Sequence, residues 1–234
     1  MTRTAINDSL WALGLLLQCS LLALLFARGI ARRLPLFTLL LAFYVLRSAL
    51  LFTLSGHLDS DTYAVTYNSL AAADLFLQLL VALEIAAGLV HASGGWLRRW
   101  VELLLLPCAA FVATFLLCQL LPANSRVPPD RMQLFNWFVI VLLGLWAAVV
   151  PQSTPASASL PRRLLLGLGS YALLGICVTV VRLQAAAHRD AVLFARSSYI
   201  LPVAWLLVVL YWIAALKSHV DRPAPLLETP LATA

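Results

Sequence analysis

Seven apolar stretches, at about 10–27, 35–55, 68–91, 101–121, 133–151, 164–184 and 198–216, run along the chain with almost nothing polar inside them. A helix needs about 20 mostly apolar residues to cross roughly 30 Å of hydrocarbon, and each stretch is close to that length. No water reaches the hydrocarbon, so every backbone group must find its partner within the protein. Segments this long and this uniformly apolar suit helices rather than barrel strands. The pattern predicts an all-α polytopic membrane protein. A seven-transmembrane-helix bundle fills residues 1–220, and a disordered tail with Pro223, Pro225 and Pro230 fills 221–234.

Composition agrees and adds a direction. The chain is 62% hydrophobic and 11% charged, against about 25% charged in soluble domains. A soluble fold of this length would have nowhere to hide such a surface. The net charge of +6 is then a matter of helix ends, not of nucleic acid. One set of ends carries Arg28, Arg32, Arg33, Arg98, Arg99, Arg162, Arg163, Lys217 and Arg222. The other carries the smaller set Arg3, Arg126, Arg131, Arg189 and Arg196, and its loop over 56–62 holds only Asp59 and Asp61. The more basic set is expected inside. That puts the N-terminus outside and the C-terminus in the cytoplasm. The expected location is the cell membrane, in a bacterium the inner membrane. The expected partners are the lipid bilayer and another membrane protein.

Ionisable residues deep in a span are costly and are functional hypotheses by default. Arg47 in the second stretch and Asp74 and Glu84 in the third qualify. At 1.5 Å per residue, Arg47 lies roughly 12 Å and Asp74 roughly 8 Å from the outer ends of their helices. On consecutive antiparallel helices they are placed to pair. Gln78 follows Asp74 by one turn on the same face and extends the network. The pair is either a clamp that fixes two helices or a polar site for a ligand or ion. Glu84, roughly 24 Å down, is either a proton or cation site or a group bonded to a neighbouring helix. Asp59, Ser60 or Asp61 is placed to cap the third helix, which would then overhang the membrane or tilt.

The remaining polar residues read more plainly. Gln18, Gln119, Asn136 and Gln184 suit hydrogen bonds between helices or at the interface. Ala82 with Ala86, and Gly175 with Thr179, have the spacing of close helix contacts. Trp96, Trp100 and Trp137 fall where interfacial anchors belong. Cys19, Cys108, Cys118 and Cys177 sit inside stretches without metal or redox spacing, and are expected to be small buried hydrophobes.

Several chemistries are argued down by position. A retinal protein needs a lysine midway along the last helix, and Lys217 is at its end. His57, His91, His188 and His219 all lie near ends and do not suit haem, so no cofactor is expected. A zinc protease motif is absent, and Ser170 lacks a buried histidine. A non-catalytic protein is expected, either a subunit of a membrane complex or a ligand-sensing module. An apolar pocket for such a ligand would lie near Phe43, Tyr44, Phe76 or Tyr211. An enzyme acting on a lipid is the least favoured class.

The alternative is a small transporter or channel using Arg47, Asp74 and Glu84. Leu34-Pro35 opens the second stretch and Leu160-Pro161 the sixth, with Tyr44 and Tyr171 following at similar distances. Tyr67 and Tyr199 open the third and seventh. A three-one-three division of seven helices makes two parallel triplets. In this the chain resembles SWEET-type sugar transporters and PQ-loop proteins, and Pro151-Gln152 supplies one Pro-Gln pair. A transporter of this kind implies a water-accessible cavity reaching Asp74 or Glu84 and superposition of spans 1–3 on spans 5–7. The first triplet has no matching Pro-Gln pair.

Overall fold

Where the flanking residues are described, helix boundaries follow from local signals. The first helix, α1 (Arg3–Ala27), stops at Gly29, whose φ of 65° lies in the left-handed region that glycine enters freely. A 3-10 turn over Ile30–Arg32 leads into α2 (Pro35–Leu54). Pro35 stands at the first helical position, where its missing N–H costs nothing. α3 spans Ser60–Ser93, α4 Arg131–Val149, α5 Ser159–Ala187, α6 Ala191–Ser197 and α7 Ile200–Val220. No strand occurs among the described residues. The computed structural model describes residues 3–54, 60–93, 107, 109–112, 114, 131–149 and 159–220.

Within those residues six helical segments are long and apolar enough to cross a membrane. The protein is a membrane-embedded helical bundle. The fourth predicted stretch, 101–121, lies largely outside the described residues, and its described part (107, 109–112 and 114) is helical. Asp59, Trp96, Trp100, Cys108, Cys118, Gln119, Pro151-Gln152 and the tail over 221–234 also lie outside them. α3 has 34 residues and is therefore about 51 Å long, well beyond the hydrocarbon thickness. Its first described residue is Ser60.

One element was not anticipated. The short helix α6 lies between the sixth and seventh stretches. α5 ends with Arg189 at φ 57°, where the N–H of Asp190 donates to the Ala185 carbonyl at 2.8 Å and that of Arg189 to Ala186 at 3.3 Å. This is a Schellman closure with arginine where glycine is usual. Asp190 then caps α6, its Oδ1 accepting from the N–H groups of Val192 and Leu193. The Arg182 guanidinium lies 4.8 Å from the centre of the Phe194 ring and pins α6 to α5.

The bundle pairs α1 with α2 and α7, α2 with α3, α3 with α4 and α5, and α5 with α4 and α7. α4 and α5 approach each other closely. A Cβ on either Gly144 or Gly169 would meet the other's Cα at 3.0 Å, so two backbones touch there with no side chain between them. Farther along, the Trp137 ring fills the notch left by Gly175, whose added Cβ would come within 2.9 Å of it. Trp137 was expected at the membrane interface and is instead buried, because Gly175 makes room for the ring inside the bundle. Ala82 and Ala86 are fully buried on α3, as their spacing suggested. Cys19 and Cys177, expected to be buried, are exposed. They lie on outward faces of α1 and α5, where an apolar thiol is as well placed in lipid as in a core.

Exchanging the triplet α1, α2, α3 with α4, α5, α7 leaves most pairings unchanged. α1 with α2 maps onto α4 with α5, α2 with α3 onto α5 with α7, and α1 with α7 onto α4 with α3. The exception is α3 with α5, whose backbones are close, against α2 with α7, whose backbones are farther apart and whose aromatic rings meet.

Candidate functional site

The polar seam runs between α2 and α3. Arg47 Nη1 reaches Asp74 Oδ2 at 2.7 Å, with 18% and 16% of the two side chains exposed. The guanidinium also lies 5.6 Å from the centre of the Tyr67 ring. One turn along α3, Gln78 Nε2 donates to Asp74 Oδ1 at 2.9 Å and to the Tyr44 hydroxyl at 3.0 Å. Asn136 of α4 donates to Gln78 Oε1 at 3.4 Å. The chain of bonds therefore ties α2, α3 and α4 together. Its far end is open: Asn136 Oδ1 is buried with no hydrogen-bond partner among the described residues.

Glu84 belongs to the same helix pair but does different work. Its two carboxylate oxygens accept from the N–H groups of Leu36 and Phe37, at 3.1 and 3.0 Å. These are among the donors that a helix start leaves unsatisfied. Pro35 has no donor, and the N–H of Thr38 bonds the Leu34 carbonyl at 3.1 Å. The start of α2 is thus fully satisfied without water, by a carboxylate facing the positive end of the helix dipole. Of the two readings open for Glu84, the structure places it on a neighbouring helix's backbone. Glu84→Ala is expected to cost about 1–2 kcal/mol, and Glu84→Gln, which keeps one acceptor, about half as much. Unfolding in graded sodium dodecyl sulfate measures both, and equal losses would show that the carboxylate charge is irrelevant.

Aromatic rings join α2 to α7. Phe37 meets Trp212 edge to face at 5.1 Å, and Tyr44 meets Trp205 at 5.0 Å. Both pairs are seven residues apart on their own helices, so each helix presents one face. Tyr171 of α5 adds an edge contact to Trp205 at 5.2 Å, and Trp205 meets Trp212 at 5.6 Å. Each such contact contributes about 0.5–1.5 kcal/mol beyond burial. The Trp212 Nε1 is buried without a partner among the described residues. It lies 2.5 Å from where a Cβ of Gly167 would stand, so the indole fits only because residue 167 is glycine.

On the outer side of α5 and α7 lies a groove of about 460 Å³, lined by Leu166, Gly167, Ser170, Leu207, Val208 and Tyr211. Ser170 turns its hydroxyl to its own helix, donating to the Gly167 carbonyl at 2.9 Å. The groove is therefore almost wholly apolar toward its contents.

The structure brings Arg47, Asp74 and Gln78 together and sets Glu84 apart at the other end of the seam. Of the four residues anticipated around an apolar pocket, Tyr211 lines the groove. Tyr44 belongs to the seam and the ring cluster, Phe43 packs beside it at 6.3 Å, and Phe76 is exposed on the outside of α3. Trp205, Trp212 and Phe37 were not singled out from the sequence, and Tyr171 only as the counterpart of Tyr44 in the internal repeat. The heptad spacing of Phe37 with Tyr44 and of Trp205 with Trp212 was the available signal. No protein-family profile matches the chain, no curated protein matches its sequence, and no solved structure matches its fold.

Proposed function

We propose that this is a non-catalytic membrane protein that holds an apolar, membrane-borne ligand in the groove between α5 and α7, as a ligand-sensing module or a subunit of a membrane complex. It sits in the cell membrane with the N-terminus outside and the C-terminus in the cytoplasm, as its charge distribution favours. The observation that carries the reading is the groove itself, apolar, open sideways and carrying Tyr211 on its wall. Largely apolar concave sites with a few polar groups are where small ligands bind. The strongly polar residues point the other way. Arg47, Asp74, Gln78 and Glu84 are each bonded within the bundle, which suits a clamp better than a site awaiting a solute.

Membranes labelled with a photoactivatable fatty acid test the reading. Labelling is expected to concentrate in the peptides containing 166–170 and 207–211, and Ser170→Phe, which fills the groove from an exposed position, is expected to lower it several-fold. Label spread evenly over all outward faces, or unchanged in the variant, would remove the groove as a binding site.

A second reading, a small transporter built from two triplets around Arg47, Asp74 and Glu84, is favoured by the exchangeable helix pairing. It requires the seam to open to water during a cycle. This reading assigns the opening to Asn136 Oδ1, which has no partner among the described residues.

A further inference from the structure

We infer that Asn136 anchors a binding site, separate from the groove, for a small neutral molecule that donates an O–H or N–H to its Oδ1. Side chains from five helices converge there. Gln78 of α3 bonds the Tyr44 hydroxyl of α2 and Asn136 of α4. Tyr44 and Tyr171, from α2 and α5, both meet the Trp205 ring of α7 edge on, at 5.0 and 5.2 Å. Tyr171 is also within electrostatic reach of Asp74 and Arg47. It stands one turn from Gly175 on the same side of α5, and Gly175 takes the ring of Trp137, the neighbour of Asn136. Asn136 and Tyr171 therefore differ in depth by about one turn, roughly 5 Å.

The network leaves one valence open, and its sign is fixed. Gln78 commits Nε2 to Asp74 Oδ1 and to the Tyr44 hydroxyl, so its Oε1 faces Asn136. Asn136 answers with Nδ2, because a flipped amide would set oxygen against oxygen. Its Oδ1 is turned away, buried and without a partner among the described residues. The Asn136 to Gln78 bond is itself long, 3.4 Å, beyond the usual 2.7–3.2 Å, while the rest of the chain runs from 2.7 to 3.0 Å. An amide only 4% exposed is thus loosely held at one end and unmatched at the other, which is costly until a donor arrives. That donor is neutral because the nearby charges cancel. Arg47 and Asp74 are paired with each other and leave no net charge in the seam for an ion. Entry is from the Arg47 end, since exposure falls from 18% and 16% at the pair to 7% at Gln78 and 4% at Asn136. Toward the opposite end Phe37 and Trp212 are fully buried.

The test measures binding to the purified protein by saturation-transfer NMR with two matched pairs of probes. Ethylene glycol is set against its dimethyl ether, and acetamide against dimethylacetamide, so that within each pair one member carries a donor and the other carries none. The donor-bearing member is expected to bind about tenfold more tightly, and Asn136→Leu to erase the difference. The pair with the larger preference tells a hydroxyl occupant from an amide one. Ethanolamine, a cation at neutral pH, is expected to bind more weakly than ethylene glycol. Equal binding within both pairs, or no binding at all, overturns the site and leaves Oδ1 to water alone. A preference that survives Asn136→Leu overturns the assignment to Asn136, and tighter binding of ethanolamine overturns the neutral class. Should Asn136→Leu fail to fold, the comparison of probes on the unaltered protein still decides. The groove reading is untouched by these outcomes, because its photolabelling test reads the peptides containing 166–170 and 207–211.

Discussion

Replacing Asp74 by leucine while Arg47 remains is expected to destabilise the bundle by about 3–5 kcal/mol, the range for removing one partner of a buried pair. The lower end applies, because each side chain keeps some exposure, 18% and 16%. The loss arises from what is left behind. Among the described residues Arg47 would retain the Tyr67 ring, 5.6 Å away, with its charge inside the bundle. Replacing both members, as Arg47→Met with Asp74→Leu, is expected to return most of the stability, since no unpaired charge remains. Gln78→Leu gives the scale of the neutral bonds, about 1 kcal/mol. Unfolding in sodium dodecyl sulfate across the four-member cycle measures the coupling. If the double variant is as unstable as Asp74→Leu alone, the pair is not a clamp and the transporter reading gains.

The pairing of Arg47 with Asp74 was legible because depth is arithmetic. Both residues are a fixed number of 1.5 Å steps from a helix end, and two charges at one depth on neighbouring helices have little choice of partner in a medium without water. The role of Glu84 was not legible by the same route. Its partners are the backbone N–H groups of Leu36 and Phe37, which no side-chain letter announces. Pro35 marked the start of α2, but nothing in the sequence says that α3 delivers a carboxylate there. The ring cluster was half legible: seven-residue spacing puts Phe37 with Tyr44 and Trp205 with Trp212 on single faces. Which helices face each other is a property of the packed bundle. Trp137 shows the limit most clearly. An interfacial position and a notch at Gly175 both suit tryptophan, and only the distance between α4 and α5 decides. α6 escaped notice because seven residues, Ala191–Ser197, are too few to register as a span.

Gly169→Leu is expected to be the most damaging single change in the apolar core, costing about 3 kcal/mol or more, the upper range for overpacking. The reason is what the new side chain meets. Overpacked sites usually relax by turning a neighbouring rotamer, but here the nearest atoms are the Gly144 Cα at 3.0 Å and the Ile140 carbonyl oxygen at 3.5 Å. Backbone cannot turn away, so α4 and α5 must separate. Separation would also loosen Trp137 in its notch against Gly175, adding lost dispersion contacts to the strain. Even Gly169→Ala is expected to lower the unfolding midpoint, because its Cβ alone presses on Gly144. Gly88 supplies the contrast on α3, with nothing within 4 Å of an added Cβ. Gly88→Ala is expected to be neutral or stabilising by up to about 1 kcal/mol, the helix propensity difference. Thermal unfolding of the three variants in one detergent decides the matter. A Gly169→Leu protein as stable as Gly88→Ala would mean that the α4–α5 crossing is not what holds this half of the bundle together.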